Sequence, residues 1–192
     1  MKRIGIYYAT RTGQTQNIAE HVAAILRPRG FDTALRNLRS QDGAPLLNDC
    51  AGVILAASVH LGKHEPEMAD FATKRRPELD ALPALFLSVS LSEVGAERAT
   101  ATAEERKRYA ADVQRMIDGF VAETGWRPTP VKPVAGPLMY SKYNVLVRFM
   151  MTRIVKKEHA DIDTSRDYEY TDWNSLDRIV EEFAAEYCQL QV

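Results

Sequence analysis

Three short, uninterrupted apolar runs constrain the fold of this chain more than any other feature of its sequence. They are RIGIYYA at 3–9, AGVILAAS at 51–58 and PALFLSVSL at 83–91. A strand that is apolar along its whole length is buried on both faces, as in parallel sheets that helices cover on two sides. FDTALRNL at 31–38 and PVKPVAGPL at 130–138 complete five predicted strands, and the prolines of the last one indicate an edge position.

Amphipathic segments separate these strands. Apolar residues recur at helical spacing in 13–30, 66–79, 103–125 and 172–190, and Asp172 or Asn174 is placed to cap the last helix. Strands that alternate with helices predict an α/β protein with an open, doubly wound parallel sheet. The length of 192 residues and the hydrophobic fraction of 45% suit a single domain over 1–192. Only 139–171, between the fifth strand and the last helix, falls outside this plan, and we treat it as an insert.

Composition and motifs exclude several classes of protein. The formal charge of −1 shows no global bias toward nucleic acid, so no nucleic-acid partner is expected. The two cysteines and four histidines form no metal-ligand motif, and no metal site is predicted. We find no signal peptide and no apolar run of about 18 residues, which predicts a cytoplasmic chain without a transmembrane helix.

A threonine-rich loop follows the first strand, at the sheet edge where the next helix begins. Its residues are Thr10, Arg11, Thr12, Gly13, Gln14 and Thr15. Hydroxyl donors, a glycine that lets the backbone wrap closely and the positive end of a helix favour a bound phosphate. Neither GxxxxGK[ST] nor GxGxxG occurs here. An ordinary polar turn with a threonine cap stays open as the alternative.

Two further loops are expected at the same edge of the sheet, because the carboxyl ends of parallel strands meet there. The residues that we expect to line a ligand in these loops are Ser58, Val59, His60, Leu61, Gly62, Ser88, Val89, Ser90 and Leu91. His60 and His64 are either ordinary surface histidines or groups that stack on a ligand or carry protons. We assign no catalytic base.

The pattern Thr-x-Thr-Gly-x-Thr resembles the FMN-phosphate loop of flavodoxins. YATRTGQTQNIA, AASVHLGKHEPE, LFLSVSL and YTDWNSLDRIVEEFA, in this order, resemble the oxygen-independent, HemG-type protoporphyrinogen oxidases. This resemblance implies a flavodoxin-like five-stranded sheet of order 2-1-3-4-5, with FMN across the ends of strands one, three and four. It also implies oxidation of protoporphyrinogen IX to protoporphyrin IX in haem biosynthesis, with electrons passed to a membrane quinone, either menaquinone or ubiquinone.

The chain departs from electron-carrier flavodoxins, which sandwich the flavin between aromatic side chains. Neither 58–64 nor 88–98 contains Trp, Tyr or Phe, and the chain is near neutral where such carriers are acidic. A NAD(P)H-quinone reductase or an electron-transfer flavoprotein on the same fold remains an alternative, because fold does not determine function. A flavin-free interaction module is the third possibility.

The insert combines basic and apolar residues. From 139 to 157 it has five basic residues and no acidic one, and the apolar positions between 146 and 155 follow helical spacing. It is either a basic core helix or an interfacial helix on an anionic membrane surface, which would place the protein peripherally at the inner face of the bacterial membrane. It could also cover an apolar tetrapyrrole. The residues proposed for these contacts are Tyr140, Lys142, Tyr143, Arg148, Phe149, Arg153, Lys156 and Lys157. Self-association into a homo-oligomer is left open.

Overall fold

The computed structural model describes residues 1–40, 47–97, 101–136 and 169–188. Its strands are β1 (Arg3–Ala9), β2 (Asp32–Asn37), β3 (Cys50–His60), β4 (Lys63–His64), β5 (Ala84–Ser90) and β6 (Val131–Ala135). Five of them form a parallel sheet in the order β2-β1-β3-β5-β6, while the short β4 pairs antiparallel with β3 alone. The predicted order 2-1-3-4-5 is therefore confirmed for the parallel strands, and β4 is an additional sixth strand. The proline-containing β6 lies at the edge, as expected.

Helices connect these strands. They are α1 (Gln14–Leu26), α2 (Pro66–Lys74), α3 (Arg76–Asp80), α4 (Leu91–Glu97), α5 (Ala103–Thr124) and α6 (Trp173–Tyr187), with one 3-10 turn at Arg27–Arg29. The helix predicted from residue 66, with its end expected before Pro77, ends at Lys74, and the short α3 that follows was not predicted separately. Arg75 has φ −108° and ψ 14°, which separates α2 from α3, and α3 then starts with Pro77 in its first turn. The sequence pattern did not predict α4.

Side chains on opposite faces of the sheet enter two separate cores. In β1, Ile4 and Ile6 belong to the core shared with α1 and α6, while Tyr7 and Ala9 belong to the core shared with α2 and α5. All four side chains are at most 1% exposed. The apolar runs of the sequence are therefore buried on both faces, as parallel strands require.

The sheet register places the functional segments next to one another. Ala9 at the end of β1 pairs with Ala57 in β3, and Ala57 pairs with Ser88 in β5. Ser90 pairs with Ala135 at the end of β6. The segments that follow β1, β3, β5 and β6 consequently share the carboxyl edge of the sheet, where ligands of open α/β folds bind.

Candidate functional site

The loop between β1 and α1, which we call the phosphate loop (residues 10–15), turns through a left-handed glycine. Thr10 Oγ1 accepts a 3.0 Å hydrogen bond from the backbone N–H of Gly13. Gly13 has φ 94° and occupies the N-cap position of α1. A residue with a Cβ is strained at this φ, so glycine allows the loop to enter the helix directly. No acidic residue lies in the first turn of α1, whose first N–H groups have no partner within the helix.

Thr15 contributes a buried hydroxyl to this first turn. Its side chain is 0% exposed, and its Oγ1 has no hydrogen-bond partner among the residues that the structure describes. Leaving such a group unpaired costs about 1–3 kcal/mol, so an unpaired hydroxyl beside a helix N-terminus indicates a group that comes from outside the chain. A phosphate oxygen placed here would satisfy this donor together with the first amides of α1. No threonine side chain caps α1, because Gly13 stands at the N-cap, while Thr10 forms a polar turn with Gly13.

A buried carboxylate connects the phosphate loop to the end of β3. Glu65 is 1% exposed, and its Oε2 accepts a 2.8 Å hydrogen bond from Arg11 Nε. Its Oε1 accepts a 3.0 Å hydrogen bond from Ser58 Oγ. Sequence reasoning missed Glu65. The available signal was its place directly before Pro66, because a carboxylate just ahead of a helix-opening proline is favoured by the helix dipole.

A second ion pair lies behind the same loop. Arg39, just after β2, donates a 3.2 Å hydrogen bond from Nη1 to the carbonyl oxygen of Thr10. Its Nε lies 3.1 Å from Glu67 Oε1 in the first turn of α2. Two arginines and two glutamates therefore join the phosphate loop to the start of α2. Nothing in the local sequence pattern around Arg39 indicated this contact.

The segment 58–64, which we expected to be a loop, is a tight β-hairpin. β3 continues to His60, and Val59 and His60 pair with His64 and Lys63 of β4. The two turn residues, Leu61 and Gly62, have φ 51° and 79°. Positive φ at both positions is the geometry of a two-residue hairpin turn, and a leucine there is strained. Leu61 is nevertheless 81% exposed at the tip of the hairpin.

His64 is not a surface histidine. It is 7% exposed, and its ring packs against Phe86 and Phe120 at centroid distances of 5.2 and 5.0 Å. Its Nε2 lies 2.9 Å from Ser88 Oγ, while its Nδ1 has no partner among the described residues. Burial lowers the pKa of His64 to about 4. The ring is therefore neutral at neutral pH and supports the hairpin from below, whereas His60 is exposed.

The end of β5 is more buried than the sequence suggested. Ser88, Val89 and Ser90 are 1%, 3% and 4% exposed. Ser88 Oγ contacts His64, and Val89 belongs to the core on the α1 side of the sheet. Ser90 Oγ accepts a hydrogen bond from the N–H of Glu93, so Leu91 begins α4 instead of an open loop. Ser90 and Leu91 thus stand at the edge itself, while Ser88 and Val89 lie beneath it.

A buried carboxyl group lies on α4 near this edge. Glu93 is 9% exposed, and burial together with the neighbouring Glu97 raises the pKa of Glu93 to about 7, against a lowering effect of Lys132. A carboxyl group with such a pKa is partly protonated at neutral pH. No sequence pattern indicated this group, because the residue is buried only through the packing of α4.

The residues just before the insert and those at its C-terminal end meet beside the phosphate loop. The N–H of Gly136 donates to the carbonyl oxygen of Ser90, and Thr171 Oγ1 donates a 2.9 Å hydrogen bond to the carbonyl oxygen of Ala135. Gln14 Nε2 in turn donates to Glu169 and Thr171. The insert residues that we singled out lie outside the described part of the chain. They are Tyr140, Lys142, Tyr143, Arg148, Phe149, Arg153, Lys156 and Lys157.

The described residues hold neither a metal-binding cluster nor a membrane-spanning helix. No group of His, Cys, Asp and Glu side chains in this part of the chain is arranged to hold a metal ion. Among the described helices, none combines the length and the apolar character needed to cross a membrane.

The fold defines a flavodoxin-like α/β protein with a threonine-rich loop at the carboxyl edge of its sheet. A family model described as a flavodoxin domain matches residues 5–165, and the chain belongs to this family. A short-chain flavodoxin associated with a bacterial microcompartment superposes with a TM-score of 0.55 at 15% identity, covering 96% of this chain and 98% of the other. That likeness shows the fold alone.

Two curated relatives carry a more specific name. The protoporphyrinogen IX dehydrogenase [quinone] of Escherichia coli (strain K12) is 28% identical over 179 residues, or 93% of each chain. The protein of the same name from Leishmania major is 29% identical over 181 residues, which cover 93% of this chain and 73% of the relative. The resemblance drawn from the sequence motifs is confirmed by these relatives.

Proposed function

We propose that this chain is a quinone-dependent protoporphyrinogen IX dehydrogenase that uses FMN. The observation that carries the proposal is the alignment with the E. coli dehydrogenase of that name, which spans 93% of both chains. An end-to-end match supports a shared activity better than a shared fold does, because many functions use the flavodoxin fold. The site adds an independent argument, since its unpaired Thr15 hydroxyl suits a ligand that carries a phosphate.

FMN fits the described residues at both ends of the site. The phosphate would be held by the hydroxyls and backbone of the phosphate loop, which comprises Thr10, Arg11, Thr12, Gly13, Gln14 and Thr15. The ring would lie beside the hairpin of Ser58, Val59, His60, Leu61 and Gly62 and beside Ser90 and Leu91. Ser88 and Val89, buried beneath the edge, would support this surface from below. When bound, FMN supplies two-electron redox chemistry, and the protein positions and tunes it.

The hairpin at the site exposes one large apolar side chain, Leu61, between His60 and Lys63. Leu61 is 81% exposed at the hairpin tip, and 58–64 contains no Trp, Tyr or Phe. Burial lowers the pKa of His64 to about 4, so its imidazole is neutral at neutral pH and we assign it no role in proton transfer. The exposed Leu61 suits contact with an apolar tetrapyrrole substrate. We assign no catalytic base.

The membrane part of the proposal rests on the sequence of the insert. Five basic residues without an acidic one between 139 and 157, interleaved with apolar residues, suit the anionic inner face of a bacterial membrane. Peripheral attachment there would bring the flavin close to a membrane quinone. Deleting 139–160 is expected to abolish binding to anionic liposomes. Unchanged liposome binding by the deletion variant would contradict the membrane role while leaving the dehydrogenase activity to be judged separately.

One experiment tests the enzymatic proposal directly. The purified protein, incubated with FMN and freed of excess, should retain a yellow flavin absorbance. Anaerobic addition of protoporphyrinogen IX and a quinone should then produce porphyrin fluorescence at a rate that depends on both. Failure to bind FMN would exclude any flavin enzyme. Rapid oxidation of NAD(P)H without porphyrin formation would instead favour a quinone reductase.

A further inference from the structure

The phosphate loop has one charged side chain, and that side chain is only partly used. Arg11 binds Glu65 through Nε alone, and its Nη1 and Nη2 make no hydrogen bond to any described residue. The arginine side chain is 46% exposed, whereas the carboxylate that holds it is 1% exposed. A guanidinium group can bind one carboxylate along one edge and a second anion along another, because its five donors lie in a rigid plane.

The buried partner restricts where this guanidinium can go. Both oxygens of Glu65 are occupied, one by Arg11 and one by Ser58, and its backbone N–H donates to the carbonyl of Ser58. A buried carboxylate is retained only when it is paired and hydrogen-bonded, so this geometry has little freedom. Glu65 also begins α2, since its carbonyl oxygen accepts hydrogen bonds from Met68 and Ala69. Arg11 is thereby held to a fixed framework instead of moving with a surface loop.

We propose that Glu65 is a positioning residue that holds Arg11 at the phosphate loop, so that this ion pair makes the protein prefer FMN over the phosphate-free flavin riboflavin. The inference rests on the proposed flavin function and names which residues distinguish the phosphate. Glu65 itself touches neither the phosphate nor the ring. It acts by holding the Arg11 guanidinium through Nε, which leaves both Nη groups available to a phosphate at the loop.

Two effects of Glu65 oppose each other, and this makes the inference testable. Its negative charge alone would repel a phosphate dianion, so a merely electrostatic role means that Glu65→Gln strengthens FMN binding. A positioning role means that the same substitution weakens FMN binding, because the guanidinium loses its fixed orientation. Riboflavin has no phosphate and should be indifferent to either effect.

The experiment measures dissociation constants for FMN and riboflavin by quenching of flavin fluorescence in the full chain. Glu65→Gln, Arg11→Gln and the double variant are each expected to weaken FMN binding on the order of tenfold, the effect of one charge-assisted hydrogen bond. Riboflavin binding should change less than about twofold in all three. The double variant should be no weaker than Arg11→Gln alone, because Glu65 acts through Arg11. Glu78→Gln is the matched control, since it breaks a 2.8 Å pair with Arg75 elsewhere.

Three results would overturn the inference. These are tighter FMN binding by Glu65→Gln, an equal loss for FMN and riboflavin, and additive losses in the double variant. If Glu65→Gln does not fold, Arg11→Lys at the half-exposed partner serves instead. This variant keeps the positive charge at position 11, but an ammonium group cannot bind Glu65 along one edge and a phosphate along another as a guanidinium can. A loss of affinity for FMN but not for riboflavin is again expected, and an unchanged preference for FMN would refute the proposal. A wild-type protein that binds neither flavin would reject the proposed function itself.

Discussion

Substituting His64 by glutamine should remove a pH dependence of stability that burial of this ring creates. The ordinary pKa of histidine is 6.5, and burial lowers the pKa of His64 to about 4 in the folded state. Between these values the unfolded chain binds a proton that the folded chain does not. His64 therefore contributes its full stability above about pH 6.5 and loses it progressively as the pH falls toward 4.

The size of this effect follows from the two pKa values. A difference of about 2.5 pH units, at 1.36 kcal/mol per unit, corresponds to about 3 kcal/mol between pH 7 and pH 4. Glutamine cannot titrate, and its side-chain amide reaches the position from which His64 Nε2 contacts Ser88. The substitution also changes packing against Phe86 and Phe120, but that cost does not depend on pH.

The assay is urea denaturation of both proteins, followed by tryptophan fluorescence at a fixed FMN concentration, at intervals from pH 4.5 to 7.5. The quantity to compare is the free energy of unfolding of the His64→Gln variant minus that of the wild type. It should rise toward acid by about 2–3 kcal/mol across this range. Taking the difference is necessary because the raised pKa of Glu93, about 7, gives both proteins an opposite slope, which then cancels. A difference that stays constant with pH would refute the argument.

Three further substitutions have expected outcomes. Thr15→Val should weaken FMN binding on the order of tenfold without lowering the thermal midpoint, because it removes an unpaired buried hydroxyl; a less stable protein with unchanged affinity would make Thr15 structural. Leu61→Asn should raise the free energy of unfolding by about 1 kcal/mol, since asparagine tolerates φ 51° better, and a loss in urea denaturation would contradict strain at this turn. Thr102→Ala should cost about 1 kcal/mol through loss of the capping box with Glu105, and an unchanged urea midpoint would show that this cap is dispensable.

The parallel sheet could be predicted because its central strands are uninterrupted apolar runs. A strand buried on both faces shows no alternation of polar and apolar residues along its sequence. The helices that separate the strands then predict a doubly wound sheet. Asp172 was correctly proposed as a possible cap, and its Oδ1 accepts a hydrogen bond from the N–H of Ser175 at the start of α6. These features depend on residues near one another in sequence.

The features that were missed depend on tertiary contacts. α4 contains Gly95, and a Cβ built there would lie 2.4 Å from the ring of Tyr109 in α5, so close packing stabilises a helix that its own sequence does not favour. The extension of β3 through His60 depends on pairing with β4. The burial of His64 and Glu65 requires partners on other strands, on α5 and on the phosphate loop. Local patterns carry no information about such partners.

The hydrogen bond from Thr171 to Ala135 closes the chain into a loop before α6 begins. Its two ends are held by groups of the framework, with Gln14 on one side and Ser90 on the other. The entropy of closing a loop changes by only about 0.6 kcal/mol for each doubling of its length. With both ends anchored in this way, a change in the number of residues between 137 and 168 is expected to cost little in closure entropy.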